Sequence, residues 1–174
     1  NTLGANTTTS SNTAIGHKAL EVATADNNTA VGREALQDNT TGANNTALGY
    51  NSLDVNTTAS NNTALGYDAL GANTTGAGNV AVGANALTAN TTSGGNIAVG
   101  YNALSANTTG ANNVAVGYNA LNDNTTGSNN VAIGEHALAL STDQDNNIAM
   151  GSNAAYALNG GHSNIFVGRY CGKD

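Results

Sequence analysis

Proline and tryptophan are absent from this chain, cysteine occurs once, and charged side chains make up only 9% of it. Each shortage excludes something. Without proline every residue keeps its backbone N–H, so no position need interrupt a hydrogen-bonded ladder. One cysteine, Cys171, cannot form an internal disulfide. Four Lys and Arg stand against eleven Asp and Glu, with no basic cluster, which argues against nucleic acid or an anionic membrane as partner. No run of about 18 apolar residues and no basic, apolar leader occurs, so this stretch shows neither a membrane insertion nor a signal peptide. Large apolar residues are scarce too. Leu, Ile, Val and Phe together are 29 of 174 residues, under the ~20% level associated with disorder. The net charge of −7 is modest, however, and disorder usually pairs low hydrophobicity with strong charge.

What is present is a motif, Asn-(Thr/Val/Ile)-Ala-(Ile/Val/Leu/Met)-Gly, at a fixed pitch. Its glycines are Gly16, Gly32, Gly49, Gly66, Gly83, Gly100, Gly117, Gly134, Gly151 and Gly168, one interval of 16 residues followed by eight of 17. A constant short period implies stacked coils, each burying its apolar side chains only against its neighbours. The expected fold is therefore all-β, a parallel β-solenoid of about ten 17-residue coils. Residues 1–174 read as one repeat domain, a segment of a longer chain because Asn1-Thr2-Leu3 matches the interior of a coil at Asn85-Ala86-Leu87. Residues 152–174 read as an irregular terminal coil or a handover to another domain, since Phe166 stands where other coils have alanine.

Within a coil, Val114-Ala115-Val116 alternates large, small, large, and strand side chains alternate faces. The expectation is that Val114 and Val116 face the core and Ala115 faces out. Glycine ends the strand, and leucine follows four residues later, at Leu20, Leu36, Leu53, Leu70, Leu87, Leu104, Leu121 and Leu138. Gly-x-x-Ala-Leu reads as a second short strand whose leucine folds back on the Val/Ile pair, giving two strands per coil. Asn-Thr-Thr turns follow, starting at Asn6, Asn39, Asn56, Asn73, Asn90, Asn107 and Asn124. Asparagine there suits turn geometry, and the triplets are also glycosylation sequons. A further asparagine precedes every strand, from Asn12 to Asn164, and ten stacked amides can form a hydrogen-bonded ladder. About three large core side chains per coil are few against the entropy of ordering 17 residues, so other chains are expected to cover one face.

The motif resembles the head repeats of trimeric autotransporter adhesins, most closely in Asn130-Val131-Ala132-Ile133-Gly134 and Asn113-Val114-Ala115-Val116-Gly117. The longer unit from Asn45 to Leu53, followed by Asn56-Thr57-Thr58, is similar to repeats of phage tail-fibre-like proteins. The adhesin resemblance implies a left-handed β-roll, three rolls side by side, with small residues near the three-fold axis. The trimer seam would then be the alanine column: Ala14, Ala30, Ala47, Ala64, Ala81, Ala98, Ala115, Ala132 and Ala149. A coil of 17 residues is longer than the commonest adhesin repeat.

No constellation for catalysis, cofactor or metal is legible. His17, His136 and His162 occupy different coils in no column and read as solvated. No His-x-His or Cys-x-x-Cys spacing occurs. Asp143-Gln144-Asp145 reads as a solvated insertion rather than a calcium loop. Gly42, Gly76, Gly110 and Gly127 punctuate turns. One surface column stands out: Tyr50, Tyr67, Tyr101 and Tyr118 each follow the strand glycine, an interrupted aromatic stripe able to stack sugars or a protein partner. The expected function is a non-enzymatic, extracellular fibre shaft or head that displays a binding surface for host or surface attachment, on a cell or a virion. Its partners would be two further copies of itself and an unknown surface receptor, glycan included. A self-assembling, glycosylated matrix filament is the rival reading, and ice binding a minor one.

Overall fold

The computed structural model describes residues 10–172. Ten three-residue strands follow one another: β1 (Thr13–Ile15), β2 (Thr29–Val31), β3 (Thr46–Leu48), β4 (Thr63–Leu65), β5 (Val80–Val82), β6 (Ile97–Val99), β7 (Val114–Val116), β8 (Val131–Ile133), β9 (Ile148–Met150) and β10 (Ile165–Val167). They form one parallel sheet in sequence order. The register never slips, so Ala98 pairs with Ala115 and Ala115 with Ala132. This is a parallel β-solenoid, and at ~4.8 Å per step its ten strands span about 45 Å.

Each coil has one strand, not two. The Gly-x-x-Ala-Leu segment is a turn, because its third and fifth residues adopt left-handed backbone: Asn119 at φ 51° and Leu121 at φ 52°, repeated at Asn102 and Leu104. Alternating left-handed residues curl the chain inward, where a strand would run straight. The turn still bonds from coil to coil, as the Leu104 N–H donates to Ala120 O at 3.0 Å and the Leu121 N–H to Ala137 O at 2.9 Å. Leucine in the left-handed region carries strain, which persists only where the surroundings over-determine it. Here a stack of identical leucines fills the centre of the coil, all fully buried.

The strand faces are also opposite to the sequence expectation. Ala30, Ala47, Ala64, Ala81, Ala98, Ala115, Ala132 and Ala149 have no exposed surface within the single chain, and Ala14 packs partly buried on the same cluster. The leucines therefore pack on alanines, and the large strand residues face outward. The physical reason is cross-section. One leucine and two alanines per coil (Ala115, Ala120 and Leu121 in the coil of β7) share the interior with two buried asparagines, leaving no room for a Val/Ile pair at close-packed density.

The strand glycines are obligatory. At φ +136° a Cβ on Gly100 would lie 2.4 Å from the carbonyl oxygen of Gly117 in the next coil, and Gly83 and Gly117 are equally confined. The last coil keeps register, Ile165 with Ile148 and Val167 with Met150. Its oddities compensate each other: Phe166 occupies the alanine place, and Gly172 stands where leucine should be. A Cβ on Gly172 would sit 2.4 Å from the Phe166 ring, so the ring fills the space that leucine fills elsewhere. Ala155 holds the leucine place in the preceding coil and is fully buried. Residues 152–172 thus continue the stack.

Replacing Gly100 with alanine should lower the unfolding free energy by at least ~2 kcal/mol, since both backbone strain and a main-chain clash oppose it. Ala106, on the turn surface, replaced by serine should change it by less than ~0.5 kcal/mol. Equilibrium denaturation of both variants checks the pair.

Candidate functional site

Among the described residues the polar and aromatic side chains are laid out in columns rather than gathered at a point. Two are buried, and both are asparagine. In the first, the side-chain oxygen of the asparagine before each strand accepts the backbone N–H of its successor: Asn96 N–H to Asn79 Oδ1, Asn113 to Asn96 and Asn130 to Asn113, each at 2.9 Å. The bonds run unbroken from Asn12 to Asn164. The expected ladder is present, with rungs that run from backbone N–H to side-chain carbonyl throughout and are joined by amide-to-amide bonds only from Asn130 to Asn164.

The amide-to-amide ladder lies in the other column, where the sequence suggested turns or glycans. Asn56 Nδ2 donates to Asn39 Oδ1 at 2.8 Å, Asn73 to Asn56 at 3.1 Å, Asn90 to Asn73 at 2.9 Å, Asn107 to Asn90 at 3.0 Å and Asn124 to Asn107 at 2.9 Å. Asn39, Asn56, Asn73, Asn90, Asn107 and Asn124 have no exposed surface. As glycan acceptors they are overturned in the folded chain, because nitrogens already bonded inside the core are out of reach of an enzyme. Asn6 lies outside the described residues. The two ladders meet at one carbonyl per coil: Gly110 O accepts from Asn107 at 2.9 Å and from Asn96 of the preceding coil at 2.9 Å. The column stops at Ser141, which leaves Asn124 Oδ1 without a partner. Asp143-Gln144-Asp145 is no insertion. Gln144 is buried in the turn-glycine place, its Oε1 accepting from Ser141 Oγ at 2.8 Å and its main-chain carbonyl from Asn130 at 2.7 Å.

Three columns face outward. The first is the strand face, Thr13, Thr29, Thr46 and Thr63 followed by Val80, Ile97, Val114, Val131, Ile148 and Ile165, with Ile15, Val31, Leu48, Leu65, Val82, Val99, Val116, Ile133, Met150 and Val167 beside them. It holds no charge, and Leu48 is 47% exposed. Sequence reasoning assigned these residues to the core. The alanine column therefore cannot be a seam between chains, since it is already enclosed by its own coil. That holds for the eight positions from Ala30 to Ala149, and Ala14, partly buried, packs on the same cluster.

The second column is threonine. Thr57, Thr74 and Thr108 hydroxyls donate to the threonine carbonyl of the next coil at 3.2, 3.0 and 2.9 Å. The third is aromatic. Tyr50 and Tyr67 stack at 5.6 Å with 11° between ring planes, and Tyr101 and Tyr118 at 5.4 Å with 14°. His136 meets Tyr118 edge-on at 5.5 Å and Tyr156 at 5.9 Å, so this histidine is part of the row rather than an isolated surface residue. Arg33 lies 5.5 Å from the centre of the Tyr50 ring. His162 instead accepts the Asp145 N–H through Nδ1 at 2.9 Å. The order of the row was legible in the sequence, but the addition of His136 and Tyr156 was not, because they sit at other positions of the repeat.

Among the described residues no group of three or more His, Cys, Asp or Glu could hold a metal ion, and no helix is long and apolar enough to cross a membrane. One acid is displaced from its ordinary range. Asp54 is pushed up to about 6, chiefly by burial, against a backbone hydrogen bond at Val55 and with further help from the carboxylates of Asp68, Asp38 and Glu34. Comparison with family models, curated proteins and solved structures finds no match to this chain.

The native state holds the Asp54 proton more tightly than the unfolded chain, so stability is greatest below about 3.8 and declines as pH rises to about 6, as far as this group is concerned. Asp54→Asn should flatten that slope and melt at or above the wild-type temperature at neutral pH. Thermal melts across this pH window read the difference; parallel curves for the two proteins would contradict it.

Proposed function

We propose that this rod is the shaft or head of an extracellular fibre, of the phage tail-fibre or bacterial surface-adhesin kind, holding a binding surface away from its anchor and catalysing nothing. The observation that carries the reading is the outward strand face. One column of this face is apolar in every coil from Ile15 to Val167, and the other becomes aliphatic from Val80 onward after four threonines, so an uncharged face runs along the rod. A surface with this repeat is self-complementary, because a second copy presents the same knobs at the same pitch. The face is only three residues wide, and three such faces close a dry axial core. The proposed assembly is therefore a homotrimer, packed through the Val/Ile columns and not through alanine. The resemblance of the repeats to adhesin heads supports a trimer but not this seam, since it implies small residues near the axis.

Ice binding has less support. Threonine leaves the strand face after Thr63, and the hydroxyls of Thr57, Thr74 and Thr108 are engaged by the next coil rather than held out to order water.

Val116→Asp, which points out of the coil, should convert a wild-type trimer into a folded monomer with unchanged far-ultraviolet circular dichroism. Ala115→Phe, which points in, should instead unfold the coil, because overpacking costs about 1–3 kcal/mol or more. Sedimentation equilibrium with circular dichroism separates the outcomes. A monomeric wild type would refute the trimer, and end-to-end growth into long fibres would favour the matrix-filament reading.

A further inference from the structure

The aromatic row has a vacancy. Tyr67, Ala84 and Tyr101 occupy the same register in three consecutive coils, since Leu65 pairs with Val82 and Val82 with Val99. Tyr67 uses one ring face on Tyr50, and Tyr101 uses one on Tyr118. Their other faces look along the row towards each other across a methyl group. Two coil steps separate them, about 10 Å, and the rings are 57% and 47% exposed. A ring entering midway would sit about 5 Å from each neighbour, within the range in which ring pairs attract and close to the 5.4–5.6 Å of the two stacks already formed.

The geometry points to this slot as a subsite for one pyranose ring of a neutral glycan, clamped between Tyr67 and Tyr101 over Ala84. This rests on the reading of the rod as an attachment fibre and names the chemistry of its receptor. A pyranose has apolar C–H faces and a hydroxyl-rich edge. The slot offers ring faces as walls, and Asn85, next in sequence to Ala84, donates from Nδ2 to Asn102 Oδ1 of the following coil at 3.1 Å. Paired amides complement hydroxyls, which both donate and accept. An anionic ring such as a nucleotide is disfavoured by the net charge of −7 and by Asp68 beside Tyr67. The slot is open to solvent and encloses no cavity, which suits one residue of a longer chain passing across the rod.

The decisive variant fills the vacancy. Ala84→Tyr adds the residue that neighbouring coils already carry at this position, so the fold tolerates it and the stack closes. The 174-residue protein is titrated with neutral hexasaccharides of glucose, galactose and mannose, following the tyrosine ring protons by NMR. At least one sugar should shift the rings of Tyr67 and Tyr101 while leaving Tyr50 in place. Ala84→Tyr should weaken that binding at least about tenfold, equal to about 1.4 kcal/mol, and Ala84→Ser should leave it unchanged. Equal binding by Ala84→Tyr, no response to any of the three sugars, or occupation by p-cresol alone would each overturn the slot. A slot that binds sugar on a monomeric chain would stand while the fibre reading fell. A trimer whose surface attachment survives Ala84→Tyr would keep the fibre reading and remove the slot.

Discussion

Every coil must offer its successor the same hydrogen-bonding edge at the same height, inside the core as well as along the strand. In an ordinary sheet only the backbone meets this condition. Here two columns of fully buried side-chain amides meet it too. A buried amide left unbonded costs about 1–3 kcal/mol, so each asparagine is stabilising only while the coils above and below hold theirs in place. The Gly110 carbonyl, accepting from Asn107 and Asn96 at once, shows how closely the two ladders are tied. Both lone pairs of one main-chain oxygen are used, and the turn cannot shift without breaking bonds in two coils.

Other features follow from that fixed pitch. Glycine ends each strand because the next coil's main chain passes within reach of any Cβ. Leucine accepts a left-handed backbone because only that curl brings it to the centre between the ladders. Volume can be exchanged within the cross-section but not added, as the pairing of Phe166 with Gly172 shows. The ladder also marks its own weak point. Where Ser141 interrupts the second column, Asn124 keeps an unpartnered oxygen and Gln144 takes over part of the bonding.

The period, the parallel stack, the strand positions and the existence of an asparagine ladder were legible in the sequence, because each is a statement about spacing. The inward face was not. Alternation shows that Val114 and Val116 share a side and Ala115 takes the other, but not which side is enclosed. Habit places the larger residues inside, whereas this coil is too narrow for them once asparagine is buried. The second strand failed for a related reason: nothing in Gly-x-x-Ala-Leu reveals that leucine, which seldom adopts positive φ, does so in eight coils. Asn-Thr-Thr was read for its local turn chemistry, and its burial depends on contacts between coils. The tyrosine row was visible as a column, and its vacancy acquired meaning only once the rings on either side were seen to stack.

Turning the small residues in and the aliphatic residues out encloses alanine and leucine and leaves the larger strand residues to solvent, a division that suits the proposed fibre. The buried asparagine ladders hold the coils together alongside the narrow alanine and leucine core. Residue-resolved hydrogen exchange tests this most directly. The backbone amides of Asn96, Asn113 and Asn130 and the side-chain amides of Asn90 and Asn107 should exchange only through global unfolding, as slowly as the strand amides of β6 and β7. Exchange of those side-chain amides at the rate of surface asparagines such as Asn129, with the strands still protected, would contradict it.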